Sequence, residues 1–177
     1  MPVSLDTLRA QPLSLIGPAT QTLADGGSIS VWRREMETAI RRSQTAAYIA
    51  ATAERLGVPP SAVKGLSKAE RKELDTRINE QLQYLDKFAQ ELRAGKVTPQ
   101  MAQARAAMYA GANRGTFYAT RYPGLSNVPG DGQTVCLSNC KCTLDERDKG
   151  IYWTLNAGES CPDCVELANG SPYSVEG

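Results

Sequence analysis

The chain of 177 residues contains no histidine. This absence excludes a Ser-His-Asp triad, a Cys-His dyad and any metal site that uses imidazole ligands. Aromatic residues are also few, since only two Phe and two Trp are present. No apolar run reaches the roughly 18 residues that a membrane span needs, and the first residues lack the basic and apolar regions of a secretory signal. The sequence therefore predicts no membrane association and no export by that route.

Cysteine is missing from the first 135 residues, but five cysteines follow within a 29-residue stretch: Cys136, Cys140, Cys142, Cys161 and Cys164. An odd number of thiols fits complete disulfide pairing poorly, and disulfides or unligated thiols are the lesser alternatives here. Thiols clustered in this way commonly converge on a metal ion. We therefore predict a structural metal site that draws its ligands from these five residues.

The spacing of the cysteines leaves the ligand set open. Cys161 and Cys164 form a Cys-x-x-Cys pair that can chelate one ion. The other three thiols provide one more than a tetrahedral site needs. On an extended chain Cys140 and Cys142 point to the same face, whereas a turn at residues 138–139 would let Cys136 and Cys140 chelate together. Zinc is the first choice for a closed four-sulfur site, and iron suits the same ligands.

The Cys-Pro-Asp-Cys sequence also permits a thiol oxidoreductase, because Cys-x-x-Cys pairs can cycle between dithiol and disulfide. In thioredoxin-like proteins this pair lies inside a βαβ unit. Only 13 residues follow Cys164, too few to complete such a fold. A catalytic metal is also disfavoured, because it needs an open coordination position. We therefore expect that the protein is not an enzyme.

Three helices are predicted between residues 28 and 122, at about 28–56, 67–95 and 98–118. Apolar residues recur at helical spacing in each of them. Gly57 can close the first helix in a left-handed conformation. Ser67 and Glu70 have the spacing of a capping box at the start of the second, and Thr98-Pro99 is a typical start for the third. The pattern predicts long antiparallel helices.

The two ends of the chain differ from this helical part. Residues 1–27 are interrupted by prolines and glycines, which predicts an extended arm that orders on another surface. A Pro- and Gly-rich linker begins at Pro123. After it we predict strands at 134–137, 141–144 and 151–155, a polar turn at 145–150 and a short helix at 161–168. The predicted fold is thus mainly α, with an arm (1–27), a helical domain (28–122) and a small zinc-ribbon-like, cysteine-rich domain (123–177).

Charge is distributed unevenly along the chain. Residues 1–130 carry 17 Lys and Arg against 11 Asp and Glu, whereas residues 131–177 carry 3 against 8. Six arginines of the helical part could contact phosphates: Arg33, Arg34, Arg41, Arg42, Arg114 and Arg121. A zinc-containing nucleic-acid-binding module is therefore the main alternative function, although a solvated helix face is typical of such arginines.

Two stretches of the chain resemble minor head proteins of tailed bacteriophages, of the Mu F-like head morphogenesis type. The helical stretch contains QYLDKF (83–88), GKVT (95–98) and ARAAMYAGA (104–112). The cysteine stretch contains GDGQTVCLSNCKC (130–142), WTL (153–155) and ESCPDC (159–164). The family pattern often ends in a His and Cys-Arg-Cys group. Here Cys136 lies near that place, and the cysteine groups come in the reverse order.

The resemblance implies a virion component, present in few copies and associated with the portal or the inner face of the capsid. Its expected partners are the phage portal protein, the major capsid protein or both, within a multi-subunit assembly, and packaged DNA is a further candidate. Such a protein would be assembled in the bacterial host cytoplasm and would reside in the phage head.

Overall fold

The computed structural model describes residues 5–137, 140–158 and 160–174, and this part of the chain is mainly helical. It contains six α-helices, one 3₁₀ turn and one two-stranded sheet. In chain order the elements are α1 (Leu5–Ala24), α2 (Ile29–Leu56), the 3₁₀ turn (Pro60–Ala62), α3 (Lys68–Arg93), α4 (Pro99–Gly111), α5 (Asn113–Arg121), β1 (Thr143–Arg147), β2 (Gly150–Thr154) and α6 (Pro162–Asn169). The predicted mainly helical fold is confirmed.

The prediction of an extended arm over residues 1–27 is wrong for residues 5–24, which form α1; residues 1–4 lie outside the described ranges. Pro18 lacks the N–H of an internal helix bond, and Gly17 is a poor helix former, so local preference opposes this helix. Ile16, Ala19 and Leu23 are nevertheless almost fully buried, because α1 packs on α2 and α4. Tertiary burial therefore overrides the local signal.

The ends of α2 and α3 follow the predicted capping residues. Gly57 closes α2 with φ +66°, and the cap N–H groups reach the carbonyls of Ala53 and Glu54. At the start of α3, the Ser67 N–H donates to the Glu70 carboxylate (2.8 Å), while the Ser67 hydroxyl accepts from the Glu70 N–H (3.2 Å). Both bonds of the predicted capping box are present.

Helices α2 and α3 run antiparallel. Trp32, near the start of α2, packs edge-to-face against Phe88, near the end of α3, with ring centroids 5.9 Å apart. At the opposite ends, Arg55 of α2 lies 3.7 Å from Glu70 of α3. These contacts match the start of each helix with the end of the other.

The predicted third helix is divided in two. Helix α4 ends at Gly111 and α5 begins at Asn113, with Ala112 between them. Glycine disfavours the helix interior because it has the most backbone freedom to lose, which makes Gly111 a plausible place for the interruption. The consequence is that α5 can follow a direction of its own, and it packs mainly on α2.

Two hydrophobic clusters form the core, and α2 contributes to both. The first contains residues of α1, α2, α3 and α4. In the second, Ala47, Ala50 and Ala51 of α2 pack with α5 and with the cysteine-rich part. Apolar packing therefore continues past residue 123, from the helices into the cysteine-rich segment. No described helix combines the length and apolar character needed to cross a membrane.

The sheet of the C-terminal part differs from the prediction. Strands β1 and β2 pair antiparallel with Thr143 opposite Thr154 and Arg147 opposite Gly150, so the predicted polar turn at 145–150 shrinks to residues 148–149. The predicted strand at 134–137 is wrong, because the Leu137 N–H closes a turn onto the Thr134 carbonyl (2.8 Å) and Leu137 has φ +50°. Positive φ is incompatible with a regular strand. The predicted turn at 138–139 lies outside the described residues.

Candidate metal centre

All five cysteine sulfurs lie close together at one end of the molecule. They form two groups, Cys136 with Cys161 and Cys164, and Cys140 with Cys142 and Cys164. Within each group every Sγ atom lies within 4.8 Å of the others. Cys164 belongs to both groups, so its sulfur is the point where the segments before β1 and after β2 meet.

The distances fit thiolates around one ion better than disulfides. A tetrahedral zinc site with Zn–S bonds of about 2.3 Å has sulfur–sulfur edges of about 3.8 Å. The Sγ atoms of Cys140 and Cys164 are 3.6 Å apart, well beyond the ~2.05 Å of an S–S bond. None of the five cysteines forms a disulfide. The donor set is therefore suitable for zinc or another thiolate-binding metal.

The start of α6 brings two of these thiols together. Cys161 is the N-cap residue of α6, Pro162 follows at the first helical position, and Cys164 lies in the first turn. Pro162 has no N–H to leave unpaired, and its fixed φ suits the start of a helix. The Val165 N–H donates to the Cys161 carbonyl (3.1 Å). This turn places both sulfurs of the Cys-x-x-Cys pair on one side.

The other three thiols reach the centre from the segment before β1. Cys142 immediately precedes that strand, and Cys140 lies two residues earlier. Cys136 lies in the turn that begins at Thr134. Asp163 of α6 ties this turn to the helix, because its carboxylate accepts the Val135 N–H at 2.8 Å. One hydrogen bond thus joins the two cysteine segments beside the sulfurs.

Burial divides the five thiols. Cys140, Cys142 and Cys164 are 2%, 3% and 0% exposed, whereas Cys136 and Cys161 are partly exposed. A closed structural site shields its ligands from water, so the buried group of Cys140, Cys142 and Cys164 is the better shielded of the two.

Protonation in the metal-free cluster follows from burial and from the neighbouring thiols. Burial raises the pKa of the Cys140 and Cys164 thiols. The hydrogen bond with Cys161 raises the pKa of Cys136. Burial opposes ionisation of Cys161, but hydrogen bonds from the Cys136 thiol and the Cys164 backbone outweigh it and lower the pKa of Cys161 to about 7. Since metal ligands must be thiolates, metal binding would release protons.

Arg114 of α5 contacts the cysteine segment from the other side. Its Nη1 donates to the Cys140 carbonyl (3.2 Å), and its Nη2 donates to the carbonyls of Lys141 (3.2 Å) and Cys142. The sequence considered Arg114 only as a phosphate contact. Nothing in its local pattern could have revealed this role, because the contact crosses at least 26 residues of chain.

Most of the other arginines singled out in the sequence make ion pairs within the chain. Arg33 pairs with Glu37 and with Asp86 (2.7 Å), and Arg41 also pairs with Glu37 (3.0 Å). Arg121 pairs with Glu54 and approaches Glu146 of β1 to 3.9 Å. Arg34 and Arg42 are exposed. The predicted arginine set therefore does not form one continuous free surface.

Comparison with models of protein families, with curated proteins and with solved structures finds no match for this chain. The chemistry of the cysteine cluster is therefore the most direct guide to what the protein does. Four thiolates saturate a tetrahedral ion and leave no coordination position for a substrate. Such an arrangement serves to join chain segments.

Proposed function

We propose that this chain is a structural protein without catalytic activity, in which one zinc ion on four cysteine thiolates holds the C-terminal part together in a zinc-ribbon-like arrangement. The observation that carries the proposal is the convergence of all five sulfurs on Cys164. Apart from this cluster, the described residues after 123 contain one two-stranded sheet and one eight-residue helix. Elements this small rarely supply a sufficient core, and a metal ion commonly supplies the missing stabilisation.

We further propose that Cys140, Cys142 and Cys164 are constant ligands. Their burial and mutual proximity support this assignment. The fourth ligand comes from Cys161 or Cys136, because both lie within 4.8 Å of the Cys164 sulfur. The thiol that is not used remains beside the site as the surplus one.

Elemental analysis of the purified chain and its cysteine variants tests this assignment. We expect about one zinc per wild-type chain and its loss in Cys164→Ser. Cys136→Ser and Cys161→Ser should each retain zinc with lower affinity, whereas the double variant should lose tight binding. Ser160→Ala, next to Cys161, is the matched control and should bind normally. A wild-type chain without metal, or Cys164→Ser with full metal content, would contradict the proposal.

We propose that the protein acts in the head of a tailed bacteriophage, as a minor component at the portal or the inner face of the capsid. The resemblance of the two quoted stretches supports this role. The long helices also offer contact surface, since the 28 residues of α2 extend about 42 Å at 1.5 Å per residue. Portal protein, major capsid protein or both are the proposed partners.

The phage proposal is tested in particles made by the phage or prophage that encodes the chain. We expect an epitope-tagged copy to sediment with purified heads and to remain after a high-salt wash, at few copies per particle. A tagged protein found only in the soluble fraction of the lysate would overturn this assignment without affecting the metal site.

A thiol oxidoreductase is the second candidate, favoured by one observation. In the Cys-x-x-Cys pair the N-cap thiol, Cys161, is partly exposed, whereas Cys164 is fully buried. An exposed attacking thiol with a buried partner suits disulfide exchange. The two functions differ in how metal affects alkylation. A structural site protects its thiols only while metal is bound, whereas an oxidoreductase would reduce a disulfide substrate after chelation.

A nucleic-acid-binding module would instead show affinity for DNA that falls steeply with salt. The ion pairs of Arg33, Arg41 and Arg121 with carboxylates of the same chain weigh against it. Binding to duplex or single-stranded DNA at low salt that vanishes in Arg34→Ala/Arg42→Ala would support this function over a purely structural one.

A further inference from the structure

The guanidinium of Arg114 is bonded to three successive backbone carbonyls, those of Cys140, Lys141 and Cys142. These three residues include two of the proposed constant ligands. Hydrogen bonds from a charged donor are stronger than neutral ones, and the planar guanidinium holds several acceptors in a fixed geometry. One side chain of α5 thus fixes the backbone of the segment that carries two of the sulfurs.

The middle peptide of this segment transmits the contact to a sulfur. In a trans peptide the C=O and N–H groups point in opposite directions. The Lys141 carbonyl accepts from Arg114 at 3.2 Å, and the N–H of the same peptide, on Cys142, donates to the Cys140 thiol. An N–H group aimed at a sulfur stabilises the thiolate. Arg114 therefore orients a donor toward a ligand atom that it does not touch.

Arg114 is itself held in place by its surroundings. Its guanidinium carbon lies 5.7 Å from the centre of the buried Tyr118 ring, one turn further along α5. The next residue, Gly115, packs so closely on the loop before the cysteines that a Cβ there would come within 2.5 Å of the Gly130 carbonyl oxygen. Helix α5 can approach this loop only because Gly115 has no side chain.

The positive charge of Arg114 also suits the site electrostatically. Four thiolates on a divalent ion carry a net charge of −2, and a partly buried cation beside them offsets part of that charge. Groups that hydrogen-bond to the ligands in this way tune metal affinity although they do not bind the ion.

We infer that Arg114 is the positioning residue of the metal centre: it orients the backbone from Cys140 to Cys142 so that both thiols and the Cys142 N–H are aligned for metal binding, and it connects the centre to α5. This inference rests on the proposed function, because it presupposes that the cysteines bind metal.

Arg114→Ala and Arg114→Lys test the inference in the full-length chain. Zinc affinity is measured by competition with a chromophoric chelator, and ligand geometry by the visible spectrum of the Co²⁺-loaded protein. We expect Arg114→Ala to weaken zinc binding about 10- to 100-fold. Arg114→Lys should recover only part of this loss, because an ammonium cannot bridge three carbonyls. The cobalt spectrum should shift in both variants.

Arg121→Ala is the matched control, since it removes an arginine from the same helix whose partners are Glu54 and Glu146. It should leave zinc affinity and the cobalt spectrum unchanged. Wild-type affinity and an unchanged cobalt spectrum in both Arg114 variants would overturn the inference. If Arg114→Ala fails to fold, the spectrum and affinity of Arg114→Lys decide. Absence of metal binding in the wild type would instead remove the proposed function itself.

Discussion

Single side chains connect parts of this protein that are distant in sequence. Asp163 ties α6 to the turn around Cys136, and Arg114 ties α5 to the segment before β1. Both act on backbone groups, whose positions then determine where the sulfurs lie. Partly exposed ion pairs such as Arg33 with Asp86 contribute less, typically 0–1 kcal/mol. At this scale the metal centre depends on hydrogen bonds to the backbone more than on charge pairing.

Glu70 should make the stability of the helical part sensitive to acid. Its carboxylate accepts the Ser67 N–H, and this bond holds the pKa of Glu70 below its usual range. A lowered folded-state pKa contributes stability above the unfolded pKa of about 4.3. That contribution is lost as the pH falls through the folded-state value. We therefore expect Glu70→Gln to be less stable than the wild type at pH 7, with a difference that shrinks below about pH 4.

Denaturant unfolding followed by circular dichroism at several pH values measures this difference. Glu80→Gln, an exposed carboxylate on the same helix, is the control and should not share the pH-dependent difference. A constant gap between Glu70→Gln and the wild type from pH 3 to pH 7 would exclude the carboxylate as its source.

Among the helices, α1 depends most on its neighbours. Its sequence contains Pro12, Gly17 and Pro18, which an isolated helix would not tolerate. Its buried face lies in the same cluster as residues of α2, α3 and α4. A helix of this kind forms when the rest of the core is present to cover its apolar residues. Its structure is a property of the packed helices rather than of the segment.

Ile16→Ala should destabilise the protein by about 2–5 kcal/mol, as expected for truncation of a buried aliphatic side chain. Ile16 is 1% exposed in the cluster shared by α1 and α2. The free energy of unfolding from urea denaturation provides the measurement, with the exposed Gln21→Ala as the control on the same helix. A loss below about 0.5 kcal/mol would mean that α1 does not belong to the folding core.

For the molecule as a whole, α2 is the element common to both clusters. Its first half packs with α1 and α3, while Ala47, Ala50 and Ala51 pack with α5 and the cysteine-rich part. The metal centre is therefore continuous with the helical core through α5 and the second half of α2. A change at the cysteines should be felt there before it is felt in α3.

Removal of the metal should loosen one end of the molecule selectively. After treatment with a zinc chelator, we expect amide hydrogen exchange to rise in residues 128–173 and in α5, while α3 keeps its protection. Cys164→Ser should give the same pattern without a chelator. Uniform loss of protection over all helices would indicate a single cooperative unit. No change in residues 128–173 would mean that the ion is not needed for their structure.

The sequence by itself determined the features that depend on near neighbours. The boundaries of α2 and α3 were predictable because Gly57 and the Ser67–Glu70 capping box act within one helical turn. The chelating geometry of Cys161 and Cys164 was predictable for the same reason, since three residues separate them. Local spacing also predicted the helical start at Pro162.

Only the tertiary structure decided the features that need distant partners. Residues 5–24 became a helix through burial, the strand predicted at 134–137 became a turn held beside α6 by Asp163, and Arg114 found its acceptors across the fold. The grouping of the sulfurs around Cys164 was likewise open in the sequence. The physical reason is range: caps and periodicity act over a few residues, whereas burial and long-range hydrogen bonds depend on which segments the folded chain brings together.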